Sequence, residues 1–237
     1  MRFRIPDIRP IRNLAVTALA VGLAAMALSA ATAPVTPAAH PAAAPAAGPA
    51  AAKPTVAPHP GALAPDFTLP DAGGAARSLA DYRGKWVVLE WVNYDCPFVR
   101  KHYGSGNMQK VQAAARAKGV VWLSINSSAP GKQGHFEGAA LTQRMSDVKA
   151  QPDAYLQDPE GKVGKLYLAK TTPSMFVVNP EGLVVYAGAI DDKPSADKED
   201  VATAKNYVQA ALDEAMAGKP VLTAATKSYG CGVKYKD

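Results

Sequence analysis

The segment 86–92, WVVLEWV, restricts the fold of this chain more than any other feature. It is apolar at every position except Glu90, and uninterrupted apolar runs of this length are typical of strands covered on both faces. Cys96 and Pro97 follow shortly after it. Proline is tolerated in the first turn of a helix, where its missing N–H is not needed. The pattern therefore predicts a buried strand that leads through a cysteine into a helix.

The rest of the chain alternates between similar strands and helices. VVWLSIN (120–126) is a second buried strand, and helices are predicted at 107–119, 137–149 and 199–217. The runs PSMFVV and LVVYAGA flank the turn NPEG (179–182) and predict a β-hairpin. Helical crossovers join parallel strands, whereas a hairpin adds antiparallel ones. The sequence thus predicts an α/β fold with a central mixed β-sheet flanked by helices on both faces.

The first 30 residues have the pattern of a targeting segment. Four arginines precede an apolar stretch from Leu14 to Leu28, and Ser29 and Ala30 follow it. This order is typical of a secretory signal peptide, and an uncleaved membrane anchor is the alternative. We therefore expect residues 1–30 to be a signal peptide and the protein to be periplasmic or secreted. We expect it at a membrane only if this segment is retained.

Residues 31–60 separate the targeting segment from the rest of the chain. They hold 13 alanines and 8 prolines, which supply too little bulky apolar surface to offset the entropy of ordering. A disordered linker is therefore predicted for 31–60. Residues 61–237 have a normal length for one domain with a single core.

The charge of the chain is uneven. The whole sequence carries +6, but residues 61–237 contain 21 Lys+Arg against 19 Asp+Glu. A nearly neutral domain does not predict a nucleic-acid partner. His102 and His135 lack ligand spacing with Cys96, and the sequence contains no phosphate-binding glycine loop or serine-hydrolase signature. We expect no bound metal, cofactor or nucleic acid.

The chain contains two cysteines, Cys96 and Cys231. In an oxidising compartment such a pair could form a purely structural disulfide. The alternative is a reactive Cys96. A thiol at the start of a helix faces unpaired N–H groups and the positive end of the helix dipole, and both favour the thiolate. Arg100, Lys101 and His102 would add positive potential nearby.

Two stretches of the domain resemble a known family. GALAPDFTLPDAGGAARSLADYRGKWVVLEWVNYDCPF (61–98) and TTPSMFVVNPEGLVVYAG (171–188) are similar, in order and spacing, to the alkyl hydroperoxide reductase/thiol-specific antioxidant branch of the thioredoxin superfamily. The resemblance implies a thioredoxin-like fold and a thiol-dependent oxidoreductase with antioxidant activity.

The resemblance also implies roles for individual residues. Cys96 falls on the family's nucleophile, and Pro173 falls on a proline that follows a cis peptide bond and faces the cysteine. Thr172 would offer main-chain groups to a bound peptide or thiol. Glu90 falls where thioredoxins bury a carboxylate on the central strand.

The sequence departs from both standard sites of the superfamily. Val99 stands where thioredoxins have their second cysteine, so exchange through a CxxC pair is excluded. Asn93 and Leu89 stand where peroxiredoxins have threonine and proline before the peroxidatic cysteine, although Asn93 could still supply a polar contact. The candidate substrate-binding residues are therefore Thr172, Pro173, Asn93 and Pro97.

The expected chemistry uses both cysteines. We expect Cys96 to attack a peroxide or a protein disulfide, and Cys231 to resolve the product as a Cys96–Cys231 disulfide. Glycines on each side of Cys231 would let the tail thiol approach. Glu90 is either a proton acceptor for an incoming thiol or for Cys231, or a buried carboxylate satisfied by its neighbours. A thiol reductant protein or a small thiol would complete the cycle.

Two other functions are compatible with the same residues. The protein could be a dedicated thiol–disulfide exchange protein, using Cys96 alone or with Cys231. It could also be a non-catalytic binding module in which the disulfide is only structural. These alternatives differ in the acidity of the Cys96 thiol and in whether the tail brings Cys231 within its reach.

Overall fold

The run at 86–92 forms the centre of the main sheet. A computed structural model describes residues 58–237, and in it strand β3 (Val87–Trp91) is buried at all of its positions. On one side β3 pairs in parallel with the strand that contains the second apolar run. Strands β1 to β5 are Thr68–Pro70, Ala76–Ser78, Val87–Trp91, Val121–Asn126 and Ala154–Gln157. The sheet continues in parallel from β4 to β5.

On the other side of β3 the pairing is antiparallel. Strand β7 (Ser174–Val178) pairs with β3 and forms a hairpin with β8 (Val184–Gly188). The side chain of Asn179 closes the turn, because its Oδ1 accepts a hydrogen bond of 2.7 Å from the Leu183 N–H. The strand order is β5-β4-β3-β7-β8. The predicted hairpin and the predicted mixed sheet are both confirmed.

Within residues 58–237, five α-helices accompany the strands. They are α1 (Pro97–Gly104), α2 (Asn107–Ala117), α3 (Gly138–Asp147), α4 (Lys162–Leu166) and α5 (Tyr207–Met216). The first two are separate because Gly106 adopts a φ of 75°, which breaks the helical geometry.

The helix predicted at 199–217 is shorter than expected. Residues Glu199–Ala202 form a separate 3-10 turn, and α5 begins only after Asn206. The Asn206 side chain accepts a hydrogen bond of 2.9 Å from the Gln209 N–H. This bond caps the helix and fixes where it begins. The apolar periodicity of the sequence continues further towards the N-terminus than the helix itself.

Apolar side chains pack on both faces of the sheet. Alternate residues of β3 point to opposite faces, so Val88 packs against the side covered by α1, α2, α3 and α5, whereas Leu89 packs on the other side. That second side is covered by α4 and by a 3-10 helix, Leu79–Tyr82. The prediction of helices on both faces of a mixed sheet is confirmed.

The C-terminal tail (219–237) crosses the domain and is bound to it along its length. Its strand β9 (Cys231–Gly232) pairs antiparallel with β6 (Thr171–Thr172) to form a small separate sheet. Nearer its start, the Ala187 N–H donates a hydrogen bond of 3.0 Å to Ala224 O. The tail is therefore part of the domain.

The targeting segment predicted for residues 1–30 lies outside the described residues, as does nearly all of the linker predicted for 31–60. Within 58–237, no helix combines the length and the apolar character needed to cross a bilayer.

Shortening a buried side chain in the central strand should destabilise the domain strongly. Leu89 is completely buried in β3, so Leu89→Ala removes a packed side chain and leaves a cavity, at a cost of about 2–5 kcal/mol in the free energy of unfolding. Leu222 is 84% exposed, and Leu222→Ala is the matched control, with little expected change. Urea titration followed by circular dichroism measures both. Equal losses in the two variants would contradict this account of the core.

Candidate active site

Cys96 lies at the carboxyl end of β3, where the chain turns into α1. Asn93 builds this turn: its main-chain O accepts a bond of 3.0 Å from the Cys96 N–H, and its Oδ1 accepts one of 2.9 Å from the Asp95 N–H. Cys96 then caps the helix in an extended conformation, and Pro97 occupies the first helical position. The predicted junction of strand, cysteine, proline and helix is confirmed.

Asn93 and Pro97 differ in how a substrate could reach them. Asn93 is only 1% exposed, and its Nδ2 donates a hydrogen bond of 3.2 Å to Gln133 O. Both ends of its amide are therefore used within the protein. Pro97 is exposed at the surface beside the cysteine. Their contact with a substrate stays a prediction.

The bond between Thr172 and Pro173 is cis, as the resemblance implies. Thr172 lies directly beside Cys96, because the Cys96 thiol donates a hydrogen bond of 3.1 Å to Thr172 O. Both residues are buried. The fold thus joins the end of β3 to the short strand β6, although 76 positions separate the two residues in the chain.

The tail brings the second thiol to the same point. Cys231 lies opposite Thr172 in the pairing of β9 with β6, and its thiol interacts with the Cys96 sulfur closely enough to lower the pKa of Cys96. Both cysteines are free thiols, with Cys96 buried and Cys231 partly exposed. The sequence left open whether the tail reaches Cys96, and the structure shows that it does.

The two thiols differ in acidity. Burial raises the pKa of Cys96, but hydrogen bonds from the Cys231 thiol and from the N–H groups of Val99 and Cys231 outweigh it and lower this pKa below that of an ordinary thiol. Burial and the hydrogen bond to Cys96 raise the pKa of Cys231 to about 11. Cys96 is therefore the more acidic of the two thiols.

The cations after Cys96 do not all act as the sequence predicts. Lys101 is buried with its Nζ 3.6 Å from Asp191 Oδ2, and it donates a hydrogen bond of 2.7 Å to Lys193 O. Burial lowers the pKa of His102 to about 4, so this imidazole is neutral near pH 7. Of the three side chains expected to act on Cys96, only Arg100 is exposed.

A chain of hydrogen bonds links the buried His102 imidazole to the tail. The Asn107 amide donates to His102 Nδ1 over 2.9 Å, which leaves the imidazole hydrogen on Nε2, 3.3 Å from the Tyr229 hydroxyl. Tyr229 in turn donates to Asp191 Oδ1. Sequence reasoning missed Tyr229 and Asp191. The signal available in the sequence was a lysine and a histidine that lie between buried positions of a helix. Polar side chains at such places need polar partners.

Glu90 is completely buried and accepts hydrogen bonds from three side chains. Trp122 Nε1 and Ser124 Oγ each lie 2.8 Å from its Oε2, and the Tyr103 hydroxyl lies 3.0 Å from both of its oxygens. Burial raises the pKa of Glu90, and these hydrogen bonds offset only part of that increase. Among the hydrogen bonds of the described residues, none joins Glu90 to a cysteine.

The chemistry available here is that of two adjacent thiols of unequal acidity beside a main-chain edge. Within residues 58–237, no group of three or more His, Cys, Asp or Glu side chains is arranged to hold a metal ion. The sulfurs of Cys96 and Cys231 can exchange two electrons by forming one bond.

Comparison with known proteins agrees with this geometry. The model of the AhpC/TSA family matches residues 60–187. The thiol-disulfide oxidoreductase ResA of Bacillus subtilis (strain 168) is 29% identical over 127 residues, which cover 49% of this chain and 71% of the relative.

Two solved structures share the fold. A hypothetical protein of Sinorhizobium meliloti 1021 superimposes with a TM-score of 0.60 at 26% identity, over 75% of this chain and 94% of its own. An uncharacterized conserved protein of Geobacillus kaustophilus superimposes with a TM-score of 0.64 at 25% identity, over 77% of this chain and 94% of its own. The thioredoxin-like fold is confirmed, the protein is a thiol-based oxidoreductase, and the chain belongs to the AhpC/TSA family.

Proposed function

We propose that the protein is an exported thiol–disulfide oxidoreductase in which Cys96 is the nucleophile and Cys231 the resolving thiol. The observation that carries this proposal is the pairing of β9 with β6, which brings Cys231 opposite Thr172, the residue whose main-chain O accepts a hydrogen bond from the Cys96 thiol. The name of the Bacillus subtilis relative supports the same reaction type. Export to the periplasm or beyond is supported by the leader pattern of residues 1–30.

The proposed reaction has two steps. The Cys96 thiolate attacks one sulfur of a disulfide RSSR, which forms a Cys96–S–S–R bond and releases RS⁻. Cys231 then loses its proton and attacks the Cys96 sulfur, which gives the Cys96–Cys231 disulfide and releases the second RS⁻. The dithiol gives up two electrons and two protons, and the substrate becomes two RSH. A small thiol or a thiol reductant protein restores the starting state.

The same thiols support peroxide reduction as a second candidate. The Cys96 thiolate would take an oxygen from ROOH, with one proton, to give a sulfenic acid and ROH; Cys231 would then form the disulfide and release water. The lowered pKa of Cys96 favours this step. Asn93 and Leu89 weigh against it, because they replace the threonine and proline of peroxiredoxins. Single-turnover rates with a hydroperoxide and with a small disulfide separate the two reactions.

Replacing each cysteine should block a different step. Cys96→Ser should lower the rate of substrate reduction by roughly 10³-fold or more, because no thiolate is left to attack. Cys231→Ser should still attack but stop at the mixed disulfide, which intact-protein mass spectrometry detects. Circular dichroism of both variants controls for folding. A Cys96→Ser protein that reacts as fast as wild type would refute the proposal.

The acidity of each thiol should depend on the other. Cys231→Ala removes a hydrogen bond that stabilises the Cys96 thiolate, so the Cys96 pKa should rise and its thiolate should form only at higher pH. Cys96→Ala removes a cause of the raised Cys231 pKa, which should fall from about 11. Ultraviolet absorbance of the thiolate against pH measures both. A Cys96 pKa at or above the ordinary thiol value in wild type would favour the non-catalytic binding module instead.

For Glu90 we propose the second of the two roles that the sequence allows, a buried carboxyl satisfied by its neighbours. It links β3 to α1 through Tyr103 and to β4 through Trp122 and Ser124. A protonated carboxyl at this point costs less than a buried charge. Its contribution is then to the stability of the sheet beneath the site.

This role predicts a pH-dependent stability. The folded-state pKa of Glu90 lies above its ordinary value of 4.5, so its stabilising contribution is complete below pH 4.5 and is lost as the pH rises through the folded pKa. Glu90→Gln should remove this loss, so wild type should lose stability relative to the variant as pH increases. Urea unfolding across this range measures it, with Glu181→Gln in the exposed hairpin turn as control. If Glu90→Gln folds normally but abolishes thiol exchange, the proton-acceptor role is the correct one.

A further inference from the structure

The tail occupies the main-chain edge beside the cis peptide bond. Thr171 lies opposite Gly232 and Thr172 opposite Cys231, and the Val233 N–H donates a further hydrogen bond of 3.1 Å to Lys170 O. Free strand edges bind extended peptides by adding a strand. Here the protein's own tail already makes the hydrogen bonds that such a peptide would need.

The fit between the tail and this edge is close. Gly230 has a φ of 138°, and a Cβ placed on it would lie 2.0 Å from Thr172 O. No side chain can be accommodated there without moving the tail away from β6. Gly232, on the other side of Cys231, has no heavy atom within 4 Å of the corresponding position. The two glycines that flank the thiol therefore have different structural roles.

Both ends of this tail segment are anchored. Before Cys231, the Tyr229 hydroxyl donates to Asp191, and the Tyr229 ring lies under the buried Lys101 ammonium, with 5.6 Å from Nζ to the ring centroid. After it, the Tyr235 hydroxyl donates a hydrogen bond of 2.6 Å to Ala169 O. An incoming peptide would have to displace a strand that is held on both sides.

We propose that β9 is the specificity-determining element of the site. It takes the position that an extended peptide would require, and it restricts Cys96 to oxidants too small to form a strand, such as low-molecular-weight disulfides. A small disulfide needs only access to one sulfur. An extended peptide needs that access and also hydrogen bonds from β6. The inference rests on the proposed function and adds the class of substrate.

The two glycines provide the test. Gly230→Ala should push β9 off β6 and move Cys231 with it, so the test compares the ratio of two rates at the same thiol, Cys96. Gly232→Ala adds the same methyl group in open space. Reduced protein is mixed with cystamine, a small disulfide, or with an extended peptide that carries a mixed disulfide to the same small thiol. In wild type and in Gly232→Ala, cystamine should react faster. In Gly230→Ala the ratio of the peptide rate to the cystamine rate should rise by about tenfold or more.

The outcomes separate this inference from the proposed function. If wild type reacts with neither disulfide, the proposed function fails. If wild type prefers the peptide, or if the ratio is the same in all three proteins, the specificity role of β9 is wrong while thiol exchange stands. Hydrogen exchange of the Thr172 and Cys231 amides reports whether the tail has moved.

A second variant covers the case in which Gly230→Ala does not fold. Tyr229→Phe removes the hydroxyl that donates to Asp191 and leaves the backbone of β9 unchanged. It should raise the ratio of the peptide rate to the cystamine rate in the same direction and by less. Tyr207→Phe is the matched control, because Tyr207 lies in α5 and stacks on Tyr186 rather than on a residue of the tail. Equal ratios in these two variants would overturn the inference.

Discussion

The contact between two sulfurs, made across a strand pair that includes the chain's own C-terminus, is the interaction on which the site depends. Cys96 would be an isolated buried thiol without it, because Val99 fills the buried helical position one turn further on. The hydrogen bond from Cys231 supplies part of what makes Cys96 acidic, and Cys96 in turn holds the proton on Cys231. Each thiol therefore shifts the acidity of the other, and this asymmetry supports the proposed order of attack.

Most of the fold could be predicted from the sequence because its signals are local. An apolar run such as 86–92 implies a covered strand, and a proline directly after Cys96 implies the start of a helix. The position of the cis peptide bond came from the resemblance carried by the segment around Thr172 and Pro173. The limit of the helix at Asn206 was harder to see, since a side-chain cap competes with an apolar periodicity that continues past it.

The site could be predicted only in part. The identities of Cys96 and Cys231 were evident, but their contact depends on the path of a tail that begins far away in the chain. The sequence does not reveal the roles of Lys101 and His102, because a position near Cys96 in the chain does not mean that a side chain acts on its thiol. Burial reverses that expectation: it neutralises His102 and pairs Lys101 with Asp191. Such partners come from distant strands and loops, which local patterns do not reveal.

The distance along the chain between the two cysteines has a consequence for the molecule as a whole. A bond between Cys96 and Cys231 would close a loop of 135 residues, whereas a CxxC bond closes only a few. Closing a long loop removes many conformations from the unfolded chain and stabilises a folded protein typically by about 2–4 kcal/mol. In the proposed redox cycle, the entire domain would therefore resist unfolding and proteolysis more strongly in the disulfide state than in the dithiol state.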